Sequence, residues 1–115
     1  MLTIYHNPRC SKSRQTLALI EENNQEVSVV EYLKAPLTKD VIEQLLALLA
    51  LPPREMMRTK ESEYSEQNLA TADDATLIAA MVSTPKLIER PIVSDGKNAI
   101  IGRPPENILS LINNK

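Results

Sequence analysis

The sequence predicts one α/β domain built on a four-stranded mixed sheet. A chain of 115 residues is long enough for one hydrophobic core and short for two. Up to Tyr32 the sequence alternates strand, helix and strand, which is a βαβ unit with parallel strands. Further on, two short apolar runs flank Asp95-Gly96, a strong signal for an antiparallel hairpin. The parallel and antiparallel halves together make the predicted sheet mixed.

The βαβ unit begins with a strand over residues 2–5, where apolar and polar side chains alternate. Asn7-Pro8 then breaks the chain, because a proline disfavours helical backbone at the residue before it. Apolar residues at helical spacing follow from Leu17, and residues 27–32 form the second predicted strand. The loop after the first strand therefore lies at the carboxyl end of a parallel strand, where open α/β sheets place their sites.

The middle of the chain, at about residues 36–85, predicts helices that interrupt the strand pattern. Thr38 is a candidate N-cap for an amphipathic helix over residues 41–49. Pro52-Pro53 ends that helix, and Pro53 suits the first position of a short helix that follows. These helices form an insertion within the single domain 1–115.

The second part of this insertion is more polar. Residues 60–68 carry one large apolar side chain, Tyr64, and predict a solvated connection. Thr71 and Asp74 match a capping box at the start of a further amphipathic helix, which Thr84-Pro85 closes.

The last segment predicts two strands and a helix. Pro91 stands at the start of an apolar strand, one of the few places where a strand tolerates proline. The hairpin joins residues 92–93 to residues 99–101, and apolar residues over 108–112 predict a final helix that packs on the sheet.

The loop after the first strand carries the chemistry. It contains the only cysteine, Cys10, and the only histidine, His6, four residues apart. Arg9, Lys12 and Arg14 add three positive charges before the first acidic residue of a chain whose net charge is -2. A basic segment in an acidic protein indicates a local site.

Cys10 falls at or just before the first turn of a helix. Backbone N–H groups there have no partner within the helix, and the helix dipole favours an anion. Both effects, with the basic neighbours, lower the pKa of a thiol. A single cysteine is more often a small buried apolar residue, but between Asn7 and Gln15 only Pro8 is apolar. We therefore predict a reactive thiolate.

Composition excludes several other classes of protein. The net charge of -2 and the absence of Trp and Phe give no basic or base-stacking surface for nucleic acid. The sequence lacks an apolar run near the ~20 residues that span a bilayer, and the usual metal-site spacings of Cys and His are absent. The start of the chain lacks the pattern of a signal peptide. We expect a cytoplasmic protein with a free thiol and neither a metal nor a membrane partner.

The run Tyr-His-Asn-Pro-Arg-Cys-Ser-Lys-Ser-Arg, which ends at Arg14, resembles the active-site loop of the glutaredoxin-dependent arsenate reductase family. That family shares a thioredoxin-like fold with the Spx-type regulators, and its fold carries a helical insertion between the βαβ and ββα halves. The resemblance implies that Cys10 attacks arsenate. It also implies a cis bond before Pro91, which corresponds to the structural proline of the thioredoxin-like fold.

The resemblance extends to arginines in later segments. Arg58 follows Met-Met, Arg90 precedes Pro-Ile-Val, and Arg103 precedes Pro-Pro. Arginine forks match the oxygens of a tetrahedral oxyanion better than lysine does. The implied catalytic residues are Cys10, His6, Arg58, Arg90 and Arg103. The implied oxyanion-binding residues are Asn7, Ser13, Arg14, Arg58, Arg90 and Arg103.

The function implied by the resemblance is that of an oxidoreductase, an arsenate reductase that acts as a monomer and has no bound cofactor. Glutathione is the implied co-substrate and glutaredoxin the implied protein partner, because a chain with one cysteine needs an external thiol to resolve its intermediate. Two alternatives remain. One is an Spx-like regulator that binds RNA polymerase, although Ser13 stands where such regulators carry the second cysteine of Cys-x-x-Cys. The other is a monothiol redox protein with another oxyanion or thiol substrate.

Overall fold

The computed structural model describes residues 2–113, and of Asn113 the backbone only. Two compact units divide the chain. The first, here called the sheet unit, comprises the residues up to Ala35 and those from Arg90 onwards. The second, here called the insertion unit, is Pro36–Glu89. Among the helices of the described residues, none combines the length and the apolar character needed to cross a membrane.

The sheet unit contains all four strands that the described residues form. Its elements are β1 (Leu2–Tyr5), α1 (Ser11–Glu22), β2 (Val27–Val30), β3 (Ile92–Ser94), β4 (Ala99–Ile101), a 3₁₀ helix (Pro105–Ile108) and α5 (Leu109–Asn113). The strand order is β2-β1-β3-β4. β1 pairs with β2 in parallel, whereas β3 is antiparallel to both β1 and β4. The predicted mixed sheet is confirmed, and β2 ends two residues earlier than predicted.

Alternation along β1 explains which face of the sheet is buried. Leu2 and Ile4 are fully buried, whereas Thr3 and Tyr5 are partly exposed. α1 and the last helical segment pack against this face. The resulting aliphatic core consists of Leu2, Ile4, Ile20, Val93, Ile108 and Leu111. Full burial of such a side chain contributes about 1.5–3 kcal/mol, so this core holds α1 against β1, the two elements that the reactive loop connects.

The hairpin between β3 and β4 forms at the predicted Asp-Gly turn. The Asp95 carboxylate accepts hydrogen bonds from the backbone N–H of Lys97 at 2.9 Å and of Asn98 at 2.7 Å. Gly96 has a φ of 93°, a region that a side chain would make costly. The turn chemistry thus sets the pairing of β3 with β4.

The insertion unit is helical, as predicted. Its elements are α2 (Lys39–Leu49), a 3₁₀ helix (Pro53–Met56), α3 (Ser62–Glu66), a 3₁₀ helix (Leu69–Thr71), α4 (Asp74–Ser83) and a 3₁₀ helix (Pro85–Leu87). The hydroxyl of Thr38 accepts a hydrogen bond from the Val41 N–H at 3.2 Å. Thr38 is therefore the N-cap of α2, which confirms the prediction.

One prediction within this unit is wrong. The capping box at Thr71 does not form, because Thr71 ends a 3₁₀ turn and Asp73 caps α4 by accepting from the Thr76 N–H at 2.9 Å. Residues 60–68 are exposed at most positions, as predicted, but they are not wholly irregular. They contain α3, and Tyr64 is 8% exposed.

The guanidinium of Arg54 explains why this polar segment is ordered. It donates hydrogen bonds to the Tyr64 hydroxyl at 2.6 Å and to the carbonyls of Leu69 at 2.9 Å and Ala72 at 3.0 Å. One charged side chain thereby joins three segments, an arrangement that local sequence patterns do not reveal.

Candidate active site

Cys10 is the N-cap residue of α1, with extended backbone at φ −92° and ψ 122°. The loop before it is closed by Asn7, whose backbone carbonyl accepts from the Cys10 N–H at 3.0 Å. The Asn7 side chain accepts from the Arg9 N–H, also at 3.0 Å. Cys10 is partly buried and forms no disulfide. The predicted position of the thiol at the start of a helix is confirmed.

Three neighbouring groups stabilise the Cys10 thiolate. They are the backbone N–H groups of Ser13 and Lys12 and the guanidinium of Arg90. Burial raises the pKa of Cys10, but these hydrogen bonds and the positive charge of Arg90 outweigh burial, so the pKa lies below that of an ordinary thiol. The first turn of α1 supplies the two backbone donors because its N–H groups have no partner within the helix. The site therefore favours a thiolate, the nucleophilic form of cysteine.

Arg90 lies between two groups that the fold brings together from separate segments. Its guanidinium interacts both with Cys10 and with Tyr32, a fully buried residue that follows β2. Burial lowers the pKa of Arg90, but the interactions with Cys10 and Tyr32 raise it by more. The net pKa is therefore above the ordinary value, and the guanidinium keeps its charge. The Arg90–Pro91 peptide bond is cis, which confirms the prediction at Pro91.

Tyr32 was not predicted to belong to the site, because the sequence pattern indicates only the last position of the second strand. The available signal was that a buried tyrosine normally needs a polar partner for its hydroxyl.

His6 and Ser13 form a buried pair in the same loop. The His6 Nδ1 and the Ser13 Oγ are 2.6 Å apart, and the Asn7 N–H donates to the same oxygen at 3.0 Å. Burial is the main cause that lowers the pKa of His6; Glu31 raises it and Arg14 lowers it. His6 is therefore neutral at neutral pH, and its link to the thiol runs through Ser13, whose own N–H contacts the sulfur.

Arg14 is exposed, and its guanidinium donates to the Pro8 carbonyl at 2.9 Å. This bond ties α1 to the loop that precedes the nucleophile. Arg14 therefore supports the shape of the loop in addition to its predicted part in oxyanion binding, which stays a prediction.

Arg103 is exposed and follows Gly102, which packs tightly against two other parts of the site. A Cβ at Gly102 would lie 2.7 Å from the Thr16 hydroxyl and 2.9 Å from a ring carbon of Pro91. The Gly102 N–H also donates to the Pro91 carbonyl at 2.8 Å. The end of β4 is therefore held against α1 and the cis-proline loop, and a second cis bond follows at Arg103–Pro104.

Arg58 lies in the insertion unit. Its Nε donates to a Glu61 carboxylate oxygen at 2.9 Å, and its Nη1 is 3.8 Å from a Glu89 carboxylate oxygen. Within its own unit this arginine is thus held by two acidic side chains. Its predicted part in oxyanion binding stays a prediction.

The fold and the site define a thioredoxin-like protein whose single reactive thiol starts the first helix, beside a cis-proline. Residues 5–111 match the ArsC family, and the chain belongs to that family, which confirms the predicted family and fold class.

Similar proteins cover nearly the whole chain. The uncharacterised protein YfgD of Escherichia coli strain K12 is 51% identical over 112 residues, with 95% of this chain and 94% of YfgD covered. The arsenate reductase of Haemophilus influenzae is 42% identical, with 95% of this chain and 97% of the relative covered. The solved structure of the arsenate reductase from Vibrio cholerae is 46% identical, with a TM-score of 0.92 and 95% of both chains covered.

Proposed function

We propose that this protein is an arsenate reductase whose nucleophile is the Cys10 thiolate. The observation that carries the proposal is the set of three donors, two from the first turn of α1 and one from Arg90, that stabilise the sulfur as an anion. The arsenate reductases among its relatives, which are similar over nearly the full chain, support arsenate as the substrate.

The first step forms a sulfur–arsenic bond. The thiolate attacks arsenic(V), and one arsenate oxygen leaves as water after protonation. Negative charge on the remaining oxygens needs preorganised donors. Arg90 already points at the sulfur and carries a planar fork that suits a tetrahedral oxyanion.

Reduction requires thiols from outside the chain, because Cys10 is the only cysteine. An external thiol supplies the second sulfur, Cys10 becomes part of a mixed disulfide, and arsenic(V) takes two electrons to become arsenic(III). A second external thiol then attacks that disulfide and restores Cys10. Overall, two thiols become one disulfide, and arsenate becomes arsenite and water. We propose glutathione and a glutaredoxin as these thiols.

We propose that Arg58 and Arg103 also bind arsenate. Replacement of either by Ala should weaken arsenate binding by about 1.5–3 kcal/mol, the range for a hydrogen bond to a charged group. For Arg58 the net loss should lie towards the lower end, because its bonds with Glu61 and Glu89 must be exchanged for those with arsenate. The Michaelis constant for arsenate, at saturating thiol, measures this loss.

A turnover assay tests the proposal. Arsenate, glutathione, glutaredoxin, glutathione reductase and NADPH are supplied, and NADPH oxidation and arsenite are both followed. Wild type and the exposed control Ser11→Ala should turn over, whereas Cys10→Ser should not. Arsenate-dependent turnover that persists in Cys10→Ser, or none in wild type, would overturn the proposal.

A further inference from the structure

A cavity of about 260 Å³ lies beside the reactive loop, within the sheet unit. One wall is the segment from His6 to Arg9 that precedes the nucleophile. The other wall comes from Glu31, Leu33 and Lys34, just after β2. The volume lies just below the ~300 Å³ at which pockets for drug-sized ligands begin, so the cavity suits a small peptide.

The charged groups around the cavity form a specific pattern. Arg9 and Lys34 contribute two positive charges, and Glu31 contributes one negative charge. Leu33 adds an apolar side chain that is 44% exposed, a large fraction for leucine. The pattern is complementary to a ligand with two carboxylates, one ammonium group and an apolar stem.

The pairing between Glu31 and Lys34 leaves both groups available to a ligand. Their charged atoms are 3.4 Å apart, and the side chains are 39% and 79% exposed. An ion pair this exposed contributes little free energy. A ligand that carries a carboxylate and an ammonium group can replace this ion pair with its own contacts to Lys34 and Glu31.

The cavity also borders the loop that carries the nucleophile. Its lining includes Arg9, the residue directly before Cys10. A ligand bound by Arg9 therefore lies beside this loop.

We propose that this cavity binds the external thiol, a small peptide with two carboxylates and one ammonium group, which is the charge pattern of glutathione. Arg9 and Lys34 bind the carboxylates, and Glu31 binds the ammonium group. The inference rests on the proposed function in that it assigns a site to the reductant of that reaction.

Thiol–disulfide exchange tests this site without arsenate. The Cys10 thiolate attacks oxidised glutathione, the Cys10–glutathione disulfide forms, and the thiolate of reduced glutathione leaves. The same reaction with neutral hydroxyethyl disulfide reports the intrinsic reactivity of Cys10. The ratio of the two rate constants therefore isolates recognition of glutathione from changes in the thiol.

The decisive comparison is between two exposed lysines of the sheet unit. Lys34→Glu should lower the ratio by about fivefold, as expected for loss of one exposed charge contact and gain of a repulsive one. Arg9→Glu should lower it to a similar extent. Lys97→Glu, at the tip of the β3–β4 hairpin, carries the same charge change and should leave the ratio within about twofold.

A ratio that stays the same in Lys34→Glu, or that falls equally in Lys97→Glu, would overturn the cavity assignment. The outcome is independent of arsenate chemistry. If the protein fails to reduce arsenate but Lys34→Glu still lowers the ratio selectively, the cavity remains assigned as the glutathione site. If the protein reduces arsenate but Lys34→Glu leaves the ratio unchanged, that assignment is wrong.

Discussion

At the residue scale, the chemistry depends on how the protein stabilises a negative charge on the Cys10 sulfur. Two of the donors are backbone N–H groups of α1, and the sequence predicted their position because Asn7-Pro8 separates a strand from a helical pattern. The third donor is Arg90, which also interacts with the buried side chain of Tyr32. That contact joins two residues distant in sequence, so no local pattern could predict it.

Replacing Arg90 by Ala should shift the pKa of Cys10 upwards, towards its ordinary value. The substitution removes a hydrogen bond and a positive charge that both favour the thiolate. The rate of alkylation by neutral iodoacetamide as a function of pH measures the shift. The exposed Lys97→Ala should show the wild-type profile, and an unchanged profile in Arg90→Ala would refute the role of Arg90.

His6 should make stability fall as the pH falls through its titration range. Its pKa in the folded protein lies below the ordinary 6.5 because of burial, so the unfolded chain takes up a proton first. The free energy of unfolding should therefore decrease as pH falls below ~6.5 and stop decreasing, for this group, below the folded pKa.

Urea unfolding between about pH 7.5 and 5.5 tests this, since carboxylates titrate mostly lower. His6 is the only histidine, so His6→Gln should show a flatter pH dependence. Equal slopes in wild type and His6→Gln would contradict the burial of a neutral imidazole.

At the scale of elements, the sequence predicted helices and strands well where one signal stood alone. Thr38 and Asp95-Gly96 have no competitor nearby, and both form the predicted cap and turn. Around α4, Thr71 and Asp73 compete, and a 3₁₀ turn over Leu69–Thr71 decides in favour of Asp73. The capping-box motif contains no information about the 3₁₀ turn that precedes the helix.

The two candidate caps of α4 can be compared directly. Asp73→Ala should lower the free energy of unfolding by about 0.5–2 kcal/mol, the usual cost of a lost N-cap. Thr71→Ala should cost much less, because Thr71 is exposed and does not cap the helix. Chemical denaturation measures both losses. A larger loss in Thr71→Ala than in Asp73→Ala would show that Thr71 caps the helix after all.

At the scale of the whole molecule, the order of elements predicted the mixed sheet. A βαβ unit followed by a hairpin and a helix leaves few topologies open. The partners of charged side chains were not predictable in the same way. Arg58 pairs with Glu89 and Arg54 with the carbonyl of Ala72, and both contacts join segments that are far apart in sequence. Predicting them requires the packed chain.

The central claim is that Cys10 passes electrons from a thiol to arsenic, and one anaerobic measurement tests it. Reduced glutathione alone cannot form a disulfide with Cys10, because two thiols need an oxidant to join. With arsenate present and glutaredoxin withheld, intact mass spectrometry should show a Cys10–glutathione adduct, with one arsenite released for each adduct formed. Without arsenate, or in Cys10→Ser, neither product should appear. Wild-type protein that forms no adduct with arsenate and glutathione, while its thiol still alkylates at low pH, would contradict the claim.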